Sequence, residues 1–464
     1  MENIPIVETK YGKVSGDFEN GLFRFLGIRY AKPPVDKLRF APPEEPEKWS
    51  GVYDASQYRT IAIQTPNPRI IRAFYDFGPV EKPEQSEDCL FLNVTTPATT
   101  GKRPVLVYIH GGANLAGYSH EPIADPSYLI KKGDIVHVSL DFRTGIFGFL
   151  YYPGISEEVL NTLDQLAALR WVHDNITAFG GDPNNVTVIG VSSGAHNIVN
   201  LISNPGAKGL VHRAIIQSAS FGRGCFSRKK AIAKAERIFQ MLEIDSKSGD
   251  IRGQLSKYSA QDLTQITVEY ATNYERAEEW GYQWGAVHDD RAEPAASAII
   301  NGYLTAQNGI HVIVGHTENE AGCFRPYEPE FGPTETERVF SKHLYIFAKA
   351  VNETGGQAWA YNFGWCPENS KFKACHCIDQ PFTYGTWRSV QHAGIMAGAI
   401  PEQMDQLTEV FTNDLISMIK LGYPKDLNWE KCTMEKPVYR YFDGIENPVR
   451  IKEEIEDVGG KIDE

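Results

Sequence analysis

The 464-residue sequence predicts an α/β fold, a mostly parallel central sheet flanked by helices, with a helical cap or insertion. Three observations lead there. From Pro104 onward, strand-like and helix-like segments alternate, which is the pattern of parallel strands joined by crossover helices. Two of those strands, Pro104–Ile109 and Val186–Ile189, are apolar along their length, as strands buried on both faces are. A charged, helix-patterned stretch, Ser227–Asn273, then interrupts the alternation.

Taken in order, the chain from about Val7 to Val94 shows short strands broken by turns such as Lys32-Pro33-Pro34 and Ala41-Pro42-Pro43. The strand Val105–Ile109 runs into His110-Gly111-Gly112-Ala113-Asn114, and Ile135–Leu140 runs into Asp141-Phe142-Arg143-Thr144-Gly145. A helix is expected over Thr162–Phe179, where Leu163, Leu166, Leu169, Val172 and Ile176 recur at helical spacing. Gly180-Gly181-Asp182-Pro183 stops it. The strand Val186–Ile189 enters Gly190-Val191-Ser192-Ser193-Gly194, a helix is expected over Ala195–Ser203, and Ala214–Gln217 is the next strand. Tyr274–Trp284 is rich in aromatics. No composition break or internal repeat divides the chain, so residues 1–464 are taken as one domain, with about 225–300 as the cap.

The bulk numbers exclude several function classes. With 59 acidic against 46 basic residues the net charge is −13, and an acidic surface repels phosphate backbones, so no nucleic-acid partner is expected. No apolar run approaches the roughly 18 residues of a membrane span. Met1-Glu2-Asn3-Ile4-Pro5 lacks the basic and apolar segments of a signal peptide, which points to a cytoplasmic protein or to a trimmed secreted form. The seven cysteines are an odd number at irregular positions, unlike a disulfide framework. In Cys375-His376-Cys377 three adjacent side chains cannot converge on one ion, so no metal is expected. The acidic run Glu453, Glu454, Glu456 and Asp457 reads as a solvated terminus.

The chemistry sits in the pentapeptide around Ser192. A hydroxyl needs an adjacent base, an orienting acid and donors for the developing oxyanion before it attacks a carbonyl. Gly-x-Ser-x-Gly between a β-branched strand and a helix makes a sharp turn that exposes the serine oxygen. His110-Gly111-Gly112-Ala113 follows an upstream buried strand, and its small residues let backbone N–H groups approach a substrate carbonyl.

Several longer motifs then agree. Phe25-Leu26-Gly27-Ile28-Arg29-Tyr30-Ala31-Lys32-Pro33-Pro34, Ser86-Glu87-Asp88-Cys89-Leu90-Phe91-Leu92-Asn93-Val94 and the block Asn161–Gly194 resemble signatures of the type-B carboxylesterase and cholinesterase family, of the α/β-hydrolase superfamily. The resemblance implies a serine esterase that needs no cofactor. It identifies Ser192 as nucleophile, Glu320 in Gly315–Gly322 as the acid, with Glu318 as fallback, and His376 in His376–Phe382 as the base. It also identifies Gly112, Ala113 and Ser193 as oxyanion-hole donors. His196, four residues after Ser192, is the rival base, but its side chain should project from the helix. Gly111, Asn114, Val191 and Trp284 are expected to line the substrate pocket, and Tyr75, Phe77, Trp280 and Trp387 are further aromatic candidates. His110 is expected to brace the loop, and Glu87–Arg143 and Asp182–Arg213 are the ion pairs the resemblance implies.

The sequence also departs from that family. Val191 stands where Glu is usual, which removes a carboxylate and turns the expected substrate from choline esters to a small or medium neutral or polar ester or lactone. Ser193 replaces a common Ala. Asn114 replaces a common aromatic and suggests a hydrogen-bonding acyl group. Cys89 has no cysteine upstream to pair with, in line with a reducing compartment. Two other functions remain open at this level: acyl transfer through the same acyl-enzyme, and a silent binding module. The partner is a small-molecule ester, and the oligomeric state is left open.

Overall fold

A computed structural model describes residues 5–64, 83–222, 226–274, 284, 285, 287, 288, 309–325, 327–433, 435–444 and 446–452. Tyr75, Phe77, Trp280, the acidic run after residue 452 and much of the expected cap beyond Tyr274 lie outside these residues.

The central sheet has eleven strands, numbered here along the chain. They are β1 (Asp17–Glu19), β2 (Leu22–Arg29), β3 (Phe91–Thr96), β4 (Arg103–Ile109), β5 (Val136–Leu140) and β6 (Gly181–Val191). β7 (Arg213–Gln217), β8 (His311–Thr317), β9 (Gln357–Phe363), β10 (Val438–Phe442) and β11 (Val449–Ile451) complete it. Their spatial order is β11-β10-β9-β8-β7-β6-β4-β5-β3-β2-β1. From β5 to β10 every pairing is parallel, and the antiparallel pairings are confined to the two flanks.

The apolar runs of the central strands are explained by burial on both faces. Val105, Val107 and Ile109 of β4 join one core cluster, with Val188, Ala214, Ile216, Val312 and Val314. The alternating residues Leu106 and Tyr108 join the opposite cluster, with Ile189, Val191, Ile215 and Ile313. Helices cover both faces: Leu166, Leu169 and Val172 of Leu160–Asn175 pack on the first side, and Phe411, Leu415 and Met418 of Pro401–Leu421 on the second.

The expected helix over Thr162–Phe179 begins at Leu160 and is α-helical to Asn175, followed by a 3-10 turn over Ile176–Phe179. Gly180, at φ 79°, ends it. The expected strand Val186–Ile189 extends over Gly181–Val191, with a register shift between Gly181 and Val186. The charged stretch after β7 forms the helices Arg228–Met241, Ile251–Leu255 and Ala260–Tyr274. Their apolar residues Ile238, Phe239, Leu255 and Leu263 pack with Phe40, Ile146, Phe147 and Trp284 in a third cluster. Among the described residues no helix is long and apolar enough to cross a membrane.

Both implied ion pairs are repartnered. Glu87 pairs with Arg39, whereas Arg143 forks onto Asp164 at 2.6 and 2.8 Å, with both partners almost wholly buried. A buried guanidinium takes the bidentate carboxylate that reaches it from the neighbouring helix, and Glu87 stays nearer solvent. Arg213 donates to Asn185 Oδ1 and the Ile419 carbonyl, while the short Asp182 side chain accepts from the Asn184 N–H at 2.9 Å.

Candidate active site

Strand order places the site. β4 pairs with β5 on one side and β6 on the other, and β6 continues to β7. The loops leaving β4 and β6 therefore turn opposite ways and open a crevice at the carboxyl ends of the strands. His110-Gly111-Gly112-Ala113 and Ser192 both emerge there.

Ser192 sits at φ 58° and ψ −128°, outside the regions that L-residues favour, directly between β6 and the helix Ser193–Ile202. Its N–H donates to the Gln217 carbonyl at 2.9 Å, which ties the strained residue to β7. Gly194 is required by contact: a Cβ there would lie 2.2 Å from the Ile109 carbonyl and 2.5 Å from that of His110. Gly112 is required by conformation as well, at φ 114° with a Cβ 2.0 Å from the Ala116 carbonyl. Gly194 is thus pressed against the end of β4 and Gly112 against its own loop, with no room for a Cβ at either position.

His376 Nε2 lies 2.8 Å from Ser192 Oγ, and its Nδ1 contacts Glu320 Oε2. Glu320 is fully buried, and its second oxygen accepts the Thr317 N–H at 2.8 Å. Burial alone would raise the Glu320 pKa, but the adjacent His376 imidazole, then the Ser218 hydroxyl and the Thr317 N–H, outweigh it and hold the carboxyl below its ordinary value. Two backbone hydrogen bonds, Asn319 N–H to the Ala374 carbonyl at 2.9 Å and His376 N–H to the Glu320 carbonyl at 3.2 Å, join the acid and histidine loops.

The rival residues fall elsewhere. Glu318 is exposed, with its N–H bonded to the Phe363 carbonyl at 3.0 Å. His196 is buried in the first turn of its helix. His110 braces the loop as expected, its Nδ1 2.8 Å from the Gly111 carbonyl and its ring stacked on Phe142 at 4.2 Å. Burial there lowers its pKa to about 4, against the opposing pull of the Gly111 carbonyl.

The pocket candidates separate into two kinds. Gly111 is partly exposed on the loop, whereas Trp284 is buried. Val191 is packed in the core cluster below Ser192, and Trp387 lies in the same cluster with its indole N–H 3.1 Å from Asp405. Asn114 is buried, and its carboxamide engages the Trp284 carbonyl at 2.9 Å and Asn197 at 3.1 Å. Protein groups at both ends of the carboxamide remove the argument for a hydrogen-bonding acyl group at this residue. Phe324 and Phe340 flank His376, with ring centroids 5.8 and 5.7 Å from the imidazole. Sequence reasoning missed both, and missed Thr317 and Asn197. Phe324 follows Glu320 by one helical turn's spacing, but nothing in the sequence marks Phe340. Among the described residues no group of three or more His, Cys, Asp or Glu side chains is placed to hold a metal ion, and none of the six described cysteines forms a disulfide.

A family model for the carboxylesterase family matches residues 3–340. The chain belongs to that family. This carboxylesterase is 34% identical to the para-nitrobenzyl esterase of Bacillus subtilis, over 91% of its own length and 92% of that protein's. It is 30% identical to the phenmedipham hydrolase of Pseudarthrobacter oxydans, over 90% of each chain. Among solved structures, a thermophilic PNB esterase superposes with a TM-score of 0.86 at 30% identity, covering 97% of this chain and 98% of the other. The Geobacillus stearothermophilus carboxylesterase gives 0.80 at 29% identity, with 97% and 98% covered. The fold is the α/β-hydrolase fold, and the carboxylesterase is a carboxylic ester hydrolase.

Proposed function

We propose that this carboxylesterase works through an acyl-Ser192 intermediate, on a small to medium neutral or polar ester or lactone. The observation that carries the reading is the 2.8 Å contact between Ser192 Oγ and His376 Nε2, with Glu320 behind the imidazole. His376 takes the Ser192 proton as the oxygen attacks the ester carbonyl, and returns it to the departing alcohol. Water then attacks the acyl-enzyme with His376 again as base, which releases the acid and restores Ser192. Glu320, held anionic, fixes the imidazole tautomer and stabilises the imidazolium. The N–H groups of Gly112, Ala113 and Ser193 receive the oxyanion. Ser193 begins a ten-residue helix whose N-terminal end favours negative charge.

Support for an uncharged alcohol group comes from Val191, a buried apolar residue of the second core cluster standing where a carboxylate would attract a cation. An ester of the kind for which the Bacillus relative is named is a suitable first substrate. The deciding test screens neutral esters and lactones of graded size against wild type and Ser192→Ala, with fluorophosphonate labelling of both. Wild type should label at Ser192, and the variant should lose kcat by roughly a millionfold. A variant that retains turnover, or labelling elsewhere in the folded wild type, refutes the mechanism.

A further inference from the structure

Asn114 departs from its family in chemistry, and every polar group it owns is used. Its backbone N–H donates to Ser193 Oγ at 3.2 Å, and its carbonyl accepts the Gly145 N–H at 2.7 Å. Its Oδ1 accepts from Asn197 Nδ2 at 3.1 Å, and its Nδ2 donates to the Trp284 carbonyl at 2.9 Å. The residue is 2% exposed and sits at φ 61°, a left-handed conformation that asparagine tolerates better than most residues. Trp284, at its far end, is itself buried, with the Lys234 ammonium 4.2 Å from its ring centroid.

These bonds reach separate parts of the molecule: the start of the serine's helix, the next turn of that helix, the helix Gly145–Phe149, and the segment beside the helices that follow β7. We propose that Asn114 is the positioning residue of the oxyanion loop. Its carboxamide clamps Ala113 and Gly112 between the serine's helix and the Trp284 segment, so that the donors and the wall above them form one rigid unit. The family's common aromatic at this place would fill space but would make neither side-chain hydrogen bond. Ser193, which replaces a common alanine, supplies the matching acceptor for the loop N–H. This inference rests on the reading of Gly112 and Ala113 as oxyanion donors.

The clamp acts on the transition state, so its loss should show in kcat and not in KM. Asn114→Leu keeps the branched skeleton of the side chain and removes both side-chain hydrogen bonds. It should lower kcat ten- to a hundredfold, for an acetate and for a bulky acyl ester alike, with KM within about threefold of wild type. Asn197→Ala removes one partner without touching the loop and decides the matter if Asn114→Leu does not fold. It should lower kcat a few-fold, and the double variant should be no worse than Asn114→Leu alone. Ser193→Ala should also cost kcat. An effect confined to KM or to the bulky acyl ester makes Asn114 a pocket contact and overturns the proposal.

The second readout is affinity for a trifluoromethyl ketone relative to its methyl ketone, because the former adds to a serine as an oxyanion. Wild type should prefer the trifluoromethyl ketone strongly, and Asn114→Leu should lose ten- to a hundredfold of that preference. A wild type without the preference overturns the oxyanion-hole reading itself. A wild type with it, matched by Asn114→Leu, overturns the positioning role alone.

Discussion

On one side of the Ser192 hydroxyl, position is set by backbone atoms that leave no space; on the other, by hydrogen bonds between loops distant in sequence. The serine turn and the Gly111–Ala113 loop lock through contacts such as Gly194 against the Ile109 and His110 carbonyls. The acid–base side depends on Asn319 to Ala374 and His376 to Glu320 backbone bonds, and on Thr317 orienting the carboxylate. Steric locking resists any added atom, and on this side the Asn114 carboxamide, bonded to Asn197 and Trp284, is the side chain proposed to brace it. A hydrogen-bonded assembly tolerates small changes of shape but fails when a partner changes its chemistry.

That contrast can be broken from either side. The largest effect is expected on the acid–base side: Glu320→Gln keeps the shape but loses the charge and the tautomer control, so kcat should fall about ten-thousandfold with Tm near that of wild type. Steady-state kinetics beside calorimetry measures both, and a loss below about tenfold would remove Glu320 from its proposed role. On the steric side, Gly194→Ala should cost about 3 kcal/mol of stability as the new methyl displaces two carbonyls. Denaturant unfolding of that variant at wild-type midpoint would show the turn has slack.

A third expectation concerns His110, which braces the locked side. Its folded pKa of about 4 lies below the ordinary value of 6.5 because it is buried. The unfolded chain therefore binds a proton between pH 6.5 and 4 that the folded chain refuses. Stability should fall as pH drops through that window, by up to roughly 3 kcal/mol from this group. His110→Phe should flatten the slope of Tm against pH there; an unchanged slope would assign the loss to other groups. The smallest effect tests the floor beneath the serine. With Val191 in place of a carboxylate, a choline ester should be hydrolysed more slowly than a neutral ester of similar size, and equal or faster hydrolysis would mean that another anion faces the pocket.

The two sides also differed in how far they could be read in advance. The serine turn was legible because its parts are contiguous: an apolar strand, the pentapeptide and a helix pattern within a short stretch. Glu320 and His376 were identified through resemblance, since nothing local distinguishes a site histidine from the other histidines of the chain. The implied ion pairs failed for the same reason, because pairing Arg143 with Asp164 depends on how a helix packs on a loop. Asn114 was noticed as a departure, but its partners Asn197 and Trp284 lie far along the chain.

The alternation of strands and helices, the two-sided burial of β4 and β6 and the sharp serine turn between glycines are written in the residues, since each follows from period, volume or backbone sterics within a few positions. The contacts that join Ser192, His376 and Glu320, and the bonding of the Asn114 carboxamide within the protein, come from packing between segments. Those outcomes turn on distances between segments far apart in sequence, and a hydrogen bond is made or lost over less than an ångström.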